Sequence, residues 1–202
     1  MDTSARFLKK DKYFSKLIQK HGPIEMSRGG PVFKALARSI VYQQLSGKAA
    51  ETIFRRFVEL FQKNASRKFP TPEQVLAMPL SKLRSAGLSK QKASYLRDLA
   101  HHFHTKKINH KKFHKMSNDE IIEHLLRVKG IGEWTVHMFL IFTLGRPDVL
   151  PVGDLGIRKG FQVVYKLKAL PDKKMMEKLA MPWRQHATLA ARYLWKAADD
   201  EK

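Results

Sequence analysis

The chain has 202 residues, 43% of them apolar, enough to bury a core as one compact domain or two closely joined lobes. Its 39 Lys and Arg face 18 Asp and Glu, and the formal charge of +21 points to a polyanion, nucleic acid first; the apolar content sets it apart from core-poor ribosomal and chromatin proteins. The absence of cysteine excludes disulfides and a four-cysteine iron–sulfur cluster, no apolar run is long enough for a membrane span, and Met1–Lys10 lacks the apolar centre of a secretory leader.

Phe7, Phe14, Leu17 and Ile18 recur at helical spacing, which predicts one helix over residues 4–20, stopped by His21-Gly22-Pro23. Ser27-Arg28-Gly29-Gly30-Pro31 reads as a loop into a second helix with Phe33, Leu36, Ala37, Ile40 and Val41 as its apolar stripe. The periodicity breaks at Gln43-Gln44-Leu45-Ser46-Gly47 and resumes from Lys48, where Ala50, Ile53, Phe54, Phe57 and Phe61 make a core face. Thr71-Pro72-Glu73 supplies an N-cap, a proline at the first helical position and an acid on the positive end of the dipole. Leu83–Ala86 is a short helix closed by Gly87, and Ser89 opens the next, with Ala93, Leu96 and Leu99 inward. The basic run His101–Lys115 reads as a solvated loop adding non-specific affinity; His110 and His114 have metal-ligand spacing but no further ligand in view. Ser117 and Glu120 form a capping box. Two later helices, roughly 155–168 and 172–180, and a last one from Thr188 to Ala198 complete the chain. No strand alternation is present, so the fold class is all-α, about ten short helices without internal repeat.

Residues 125–154 carry the most information. Gly130 and Gly132 bracket Ile131 between a helix ending near Val128 and an apolar run from Glu133 to Leu144. So short a turn needs residues that tolerate positive φ, which glycine does without steric cost. The second helix then starts with bare N–H groups, and with no side chains in the way a phosphate can approach them, with Lys129 as a charged neighbour. A plain αα-hairpin would use the same glycines as caps only. Beyond it, Leu150-Pro151-Val152-Gly153-Asp154 ends in a carboxylate that reads either as the N-cap of the next helix or as a reacting group.

Leu125, Val128, Ile131 and the helix that follows, through to Asp154, resemble the helix-hairpin-helix (HhH-GPD) superfamily of DNA base-excision glycosylases, in its 3-methyladenine (alkylpurine) branch. The match is strongest at 36–50, 83–100 and 125–160. The resemblance implies two helical lobes around a cleft, 30–145 as a six-helix lobe and 1–29 with 146–202 as the second. It places the catalytic aspartate on Asp154, through the pattern L-P-x-x-D-x-x-I/V-R/K; Asp148 precedes the Leu150-Pro151 landmark and reads as a turn residue. Glycosidic cleavage passes through an oxocarbenium-like sugar, so one carboxylate near the anomeric carbon stabilises the developing charge. A ring-alkylated purine is already cationic and leaves without a general acid, in keeping with the lack of a second carboxylate at a partner position.

Strand-nicking relatives carry a Schiff-base lysine two residues past the second hairpin glycine; here that residue is Trp134, which implies a monofunctional enzyme. Trp134 is then either a wall of the base pocket, stacking a cationic base for roughly 0.5–2 kcal/mol, or a core aromatic at a helix start. The run W-R-Q-H-A-T-L-A-A-R-Y-L-W resembles the family's C-terminal W-R-P-Y-R-S-x-A-x-x-Y-L-W and makes Trp195 the far wall, although the family's proline and arginine fall on Gln185 and Ala187. Met138 and Leu155 join the implied pocket, at positions where some relatives place tyrosines. Ile40–Ala50 matches I-x-x-Q-Q-L-S-x-K-A-A, the loop that plugs the duplex when a base is flipped out; Gln43, Gln44, Leu45 and Ser46 would sit in it, Gln44 entering the stack and Lys48 holding a phosphate. A polar helix connection is the plainer reading of the same residues. By resemblance the carbonyls of Leu126, Val128 and Ile131 hold a structural Na+ or K+, and no organic cofactor is needed. The implied partner is double-stranded DNA containing damaged bases, bound by a monomer in a nucleus or a bacterial cytoplasm and nucleoid, not secreted and away from membranes. Two alternatives stay open: a catalytically silent hairpin DNA-binding protein, and a glycosylase for ethenoadenine, hypoxanthine or an oxidised base.

Overall fold

The computed structural model describes residues 3–26, 29–62 and 69–201. Ser27 and Arg28 of the expected loop lie outside them. The described residues form twelve α-helices with short 3-10 and π segments and no strand, the expected all-α class with two more helices than periodicity counted. None is long and apolar enough to cross a membrane. The chain folds as two units, Met1–Gly29 with Leu140–Lys202, and Gly30–Phe139.

In the unit Gly30–Phe139 the helices are α3 (Val32–Tyr42), α4 (Gly47–Glu59), α5 (Pro72–Ala77), α6 (Leu80–Arg84), α7 (Lys90–His104), α8 (Asn118–Leu126) and α9 (Glu133–Phe139). Its core gathers Leu36, Ile40, Phe57, Leu83, Leu96, Leu99, Ile121 and Val136, all buried, and α7 packs on α3, α5 and α6. Burying each such side chain contributes on the order of 1.5–3 kcal/mol. The local signals hold: Thr71 accepts from the Gln74 amide in a capping box with Pro72 at the helix start, Ser89 accepts from the Lys92 amide, and Ser117 and Glu120 cap α8 reciprocally. The basic run departs from expectation. Its first residues continue α7 to His104, its last form a 3-10 helix over His110–Lys115, and buried Ile108 and Phe113 anchor it to the core. The His110 ring stacks on Phe103.

The other unit holds α1 (Thr3–Leu8), α2 (Lys12–His21), a π turn at Leu140–Leu144 that continues the chain of α9, α10 (Leu155–Val164), α11 (Lys173–Ala180), a 3-10 segment Met181–His186, and α12 (Ala187–Asp199). The single N-terminal helix predicted from periodicity is two. The Asp11 carboxylate accepts from the amides of Tyr13 and Phe14 at 2.8 and 3.1 Å, an N-cap that ends one helix and starts another. The break turns Leu8 inward and leaves Phe7 exposed. α10 stops earlier than expected, at Val164, and Lys166 at φ 52° turns the chain away. α10 and α12 pack closely, because Gly160 has no side chain: a Cβ there would lie 2.3 Å from the Leu194 carbonyl oxygen. Trp183 and Tyr193 are fully buried beneath them, the Trp183 indole donating to the Tyr165 hydroxyl at 3.1 Å.

Candidate active site

The segment before α10 is stitched to the start of α12 by one residue. The Thr188 hydroxyl donates to the Arg146 carbonyl at 2.5 Å and accepts from the Val149 amide at 3.1 Å, while its own amide donates to Pro147 at 2.9 Å. Val149, Leu150 and Pro151 are buried, and the Asp154 amide closes a tight turn onto the Pro151 carbonyl at 2.9 Å. A proline-stiffened, buried segment thus delivers Asp154 to the first position before α10.

There Asp154 is an N-cap, its Oδ1 accepting from the Ile157 amide at 2.9 Å. The same oxygen accepts a second bond, from the Trp195 indole Nε1 at 2.8 Å. A cap needs only the first. The carboxylate is half-buried and its neighbour Leu155 is 54% exposed, so the group lies at the surface of its unit in a fixed orientation. Trp195 is itself held: its ring stacks on Phe142 with centroids 6.0 Å apart, and the Arg192 guanidinium lies 5.3 Å over the Phe142 ring. Gly156 makes the arrangement sterically possible, since a Cβ there would come within 2.9 Å of Trp195 Cδ1 and 3.0 Å of Asp154 Oδ1. Asp148, the competing carboxylate, is engaged 3.4 Å from Arg184, and burial raises its pKa.

In the unit Gly30–Phe139, the hairpin between α8 and α9 divides the work of its glycines unevenly. Gly130 takes φ +83° with the Tyr95 ring over it, where a Cβ would lie 2.1 Å from the ring. Gly132 has no positive φ and nothing within 4 Å, so its role is not conformational freedom, as expected of both glycines, but an open approach. The amides alternate: Lys129 donates to Asp98 Oδ2 at 2.9 Å and Ile131 to the Val128 carbonyl at 3.1 Å, whereas Gly130 and Gly132 have no such partner among the described residues. Ile131 and Val128 are buried beneath the turn, Leu126 and the Lys129 side chain are exposed. On α9, Trp134 is 53% exposed with half-buried Met138 one turn on, while Val136 and Phe139 face the core. The core-aromatic alternative for Trp134 is therefore wrong.

The loop after α3 projects Gln44, Leu45, Ser46 and, at the start of α4, Lys48 into solvent, with Gln44 left-handed at φ 56°. Gln43 behaves differently: its side-chain amide donates to the Gly130 carbonyl at 2.7 Å. Lys92 Nζ donates to the carbonyls of Val41 and Gln43, both at 2.7 Å, and burial lowers its pKa. Tyr42 and Glu51, hydrogen-bonded to each other beside Arg38, brace α3 against α4 behind the loop. Sequence reading assigned no role to Lys92, Tyr95, Asp98, Phe142, Arg192 or Gly156; for all but Arg192 the signal was present, inside the matched stretches 83–100 and 125–160.

Residues 37–185 match the family described as HhH-GPD superfamily base excision DNA repair protein. The chain is 36% identical over 184 residues to DNA-3-methyladenine glycosylase 1 of Schizosaccharomyces pombe, spanning 91% of this chain and 79% of that one. Among solved structures, the S. pombe 3-methyladenine DNA glycosylase in complex with abasic DNA gives a TM-score of 0.81 at 34% identity, covering 96% of both chains. The DNA-3-methyladenine glycosidase of Bacillus halodurans gives 0.87 at 33% identity, covering 98% of this chain and 89% of that one.

Proposed function

Since the chain belongs to the HhH-GPD superfamily of base excision DNA repair proteins, we propose that Asp154 is the group with which it hydrolyses the N-glycosidic bond of an alkylated purine in DNA. It is a DNA glycosylase of the 3-methyladenine branch, monofunctional, acting on 3-methyladenine and 7-methylguanine type lesions by base flipping. The observation that carries the role of Asp154 is the doubly held Oδ1, whose indole bond no helix cap requires.

The steps divide among the residues by their chemistry. The amides of Gly130 and Gly132 seat a DNA phosphate, with Lys129 and Lys48 supplying charge. Gln44 and Leu45, on the exposed loop, fill the space a flipped nucleotide leaves. Trp134, with Met138 one turn on, gives an indole face; in the other unit Trp195, with Leu155 exposed on α10, gives a second; stacking a cationic base on an indole is worth about 0.5–2 kcal/mol. The base carries its own positive charge and departs neutral, so the step draws on no general acid. The Asp154 carboxylate stabilises the oxocarbenium that forms and orients the attacking water, leaving an abasic site. The Leu126, Val128 and Ile131 carbonyls offer an oxygen-only donor set at the negative end of α8, suited to Na+ or K+, which would offset phosphate charge at the hairpin.

The test is base release from a methylated duplex. Free 3-methyladenine and 7-methylguanine, with abasic sites and no strand scission, are expected. Tight binding to an abasic duplex without release would favour a catalytically silent binding protein. A second reading keeps the chemistry and changes the lesion to ethenoadenine, hypoxanthine or an oxidised base: Met138 and Leu155 stand where some relatives place tyrosines, and neither offers a base the ring or hydroxyl a tyrosine would. Release profiling on a panel of damaged oligonucleotides separates the two.

A further inference from the structure

One side of α7 touches both DNA-facing segments of its unit. Lys92, Tyr95 and Asp98 follow at three-residue intervals and so neighbour one another along the helix. Lys92 holds the carbonyls of Val41 and Gln43, the one in the last turn of α3 and the other at the start of the exposed loop, where a helix end leaves carbonyls without helical partners. Tyr95 covers Gly130, and Asp98 accepts from the Lys129 amide. Gln43 closes the circuit by donating to the Gly130 carbonyl, 87 residues away in sequence. The hollow between them, about 440 Å³ and lined by Gln43, Gln44, Ser89, Lys92, Tyr95 and Gly132 among others, is mainly polar. Beyond this frame Gln44 sits in the left-handed region, at φ 56°, a conformation that is unfavourable for a residue with a side chain and persists where the surroundings fix it.

We propose that Lys92 and Gln43 are positioning residues that lock the exposed loop to the hairpin, so that seating Gly130 and Gly132 on a phosphate fixes the depth at which Gln44 and Leu45 meet the base stack. This rests on reading the hairpin as the phosphate seat and residues 43–46 as the plug. Affinity for DNA then belongs to the hairpin and surface lysines, whereas unstacking depends on the lock. Gln43 therefore acts through Gly130, and the loop's contact with DNA falls to Gln44 and Leu45.

The test compares wild type, Lys92→Met, Lys92→Arg and Gln43→Ala in the full chain, by affinity for an undamaged duplex, fluorescence of a 2-aminopurine at the flipped position, and single-turnover release of 7-methylguanine. Expected are affinities within about twofold of wild type, with the unstacking signal and the release rate both reduced about tenfold in Lys92→Met, as a displacement of about 1 Å can cause. Lys92→Arg, which can still donate to both carbonyls, recovers at least about half of the signal. Gln43→Ala removes one bond near the surface and leaves the core intact, so its smaller loss of unstacking reads the lock even if Lys92→Met does not fold. Unchanged unstacking in Gln43→Ala, or affinity falling in step with release in both variants, would overturn the proposal. A wild-type protein that unstacks 2-aminopurine but releases no methylated base would overturn the glycosylase reading instead, while the unstacking comparison still decides the lock.

Discussion

Replacing Gly156 by alanine separates stability from catalysis at Asp154. In the first turn of α10 the residue has an ordinary backbone, so alanine gains up to about 1 kcal/mol of helix preference. The new methyl, however, would lie 2.9 Å from Trp195 Cδ1 and 3.0 Å from Asp154 Oδ1, closer than unbonded carbon and oxygen tolerate. The half-buried indole can swing more cheaply than the α10 backbone can shift, and swinging it breaks the 2.8 Å bond to Asp154. A hydrogen bond to a charged group is worth about 1.5–3 kcal/mol. The two effects oppose, so the fold loses no more than about 2 kcal/mol, a Tm decrease of at most about 4–8 °C for a chain of this size. Asp154, without its indole bond, loses the orientation its role requires, and misplacement by about 1 Å can cost 100-fold in rate. Single-turnover release of 7-methylguanine should fall about 10- to 100-fold, with affinity for an abasic duplex unchanged. Release within about twofold of wild type, in a protein whose crystal structure shows Trp195 displaced, would refute the claim that the indole bond positions the carboxylate.

The two hairpin glycines should respond in opposite ways. Gly130→Ala meets both a positive φ and the Tyr95 ring and should destabilise the protein by more than about 2 kcal/mol, seen as a lowered Tm; Gly132→Ala, in open space, should leave Tm unchanged and weaken duplex binding by crowding the phosphate. Lys48→Ala should reduce the slope of log affinity against log salt by about 0.9, the value for one lost phosphate contact. The His104 hydrogen bond holds the Glu73 carboxyl at about 2 rather than the usual 4.5. A depressed acid contributes stability that is present above the unfolded value and lost as pH falls from about 4.5 toward 2. An NMR titration of Glu73 should show the low value, and His104→Gln should return it toward 4.5.

What could be read from the sequence was what neighbouring residues decide. The caps at Thr71, Ser89 and Ser117 are set by side chains three residues from the amides they serve, and each forms as its spacing implies. The break at Asp11 was equally local, but apolar spacing across it masked the cap. The basic run misled because charge was weighed over its two apolar anchors, Ile108 and Phe113, which bury it. Contacts between distant residues could not be read at all. Trp195 and Asp154 are 41 residues apart, Gln43 and Gly130 are 87 apart, and only folding shows that an indole N–H and a side-chain amide meet those acceptors. The glycines show the same division: both mark a hairpin, but the positive φ and the Tyr95 ring at Gly130 distinguish the one the fold requires from the one left open.

The most direct measurement is purine release from methylated duplex DNA by Asp154→Asn beside the wild type. The amide can keep the cap and indole contacts through its oxygen but has no charge to set against an oxocarbenium. Release should disappear while affinity for duplex DNA stays equal or rises, one negative charge having been removed near phosphates. Turnover close to the wild-type rate would contradict the assignment of Asp154 and leave it as the helix cap it also is.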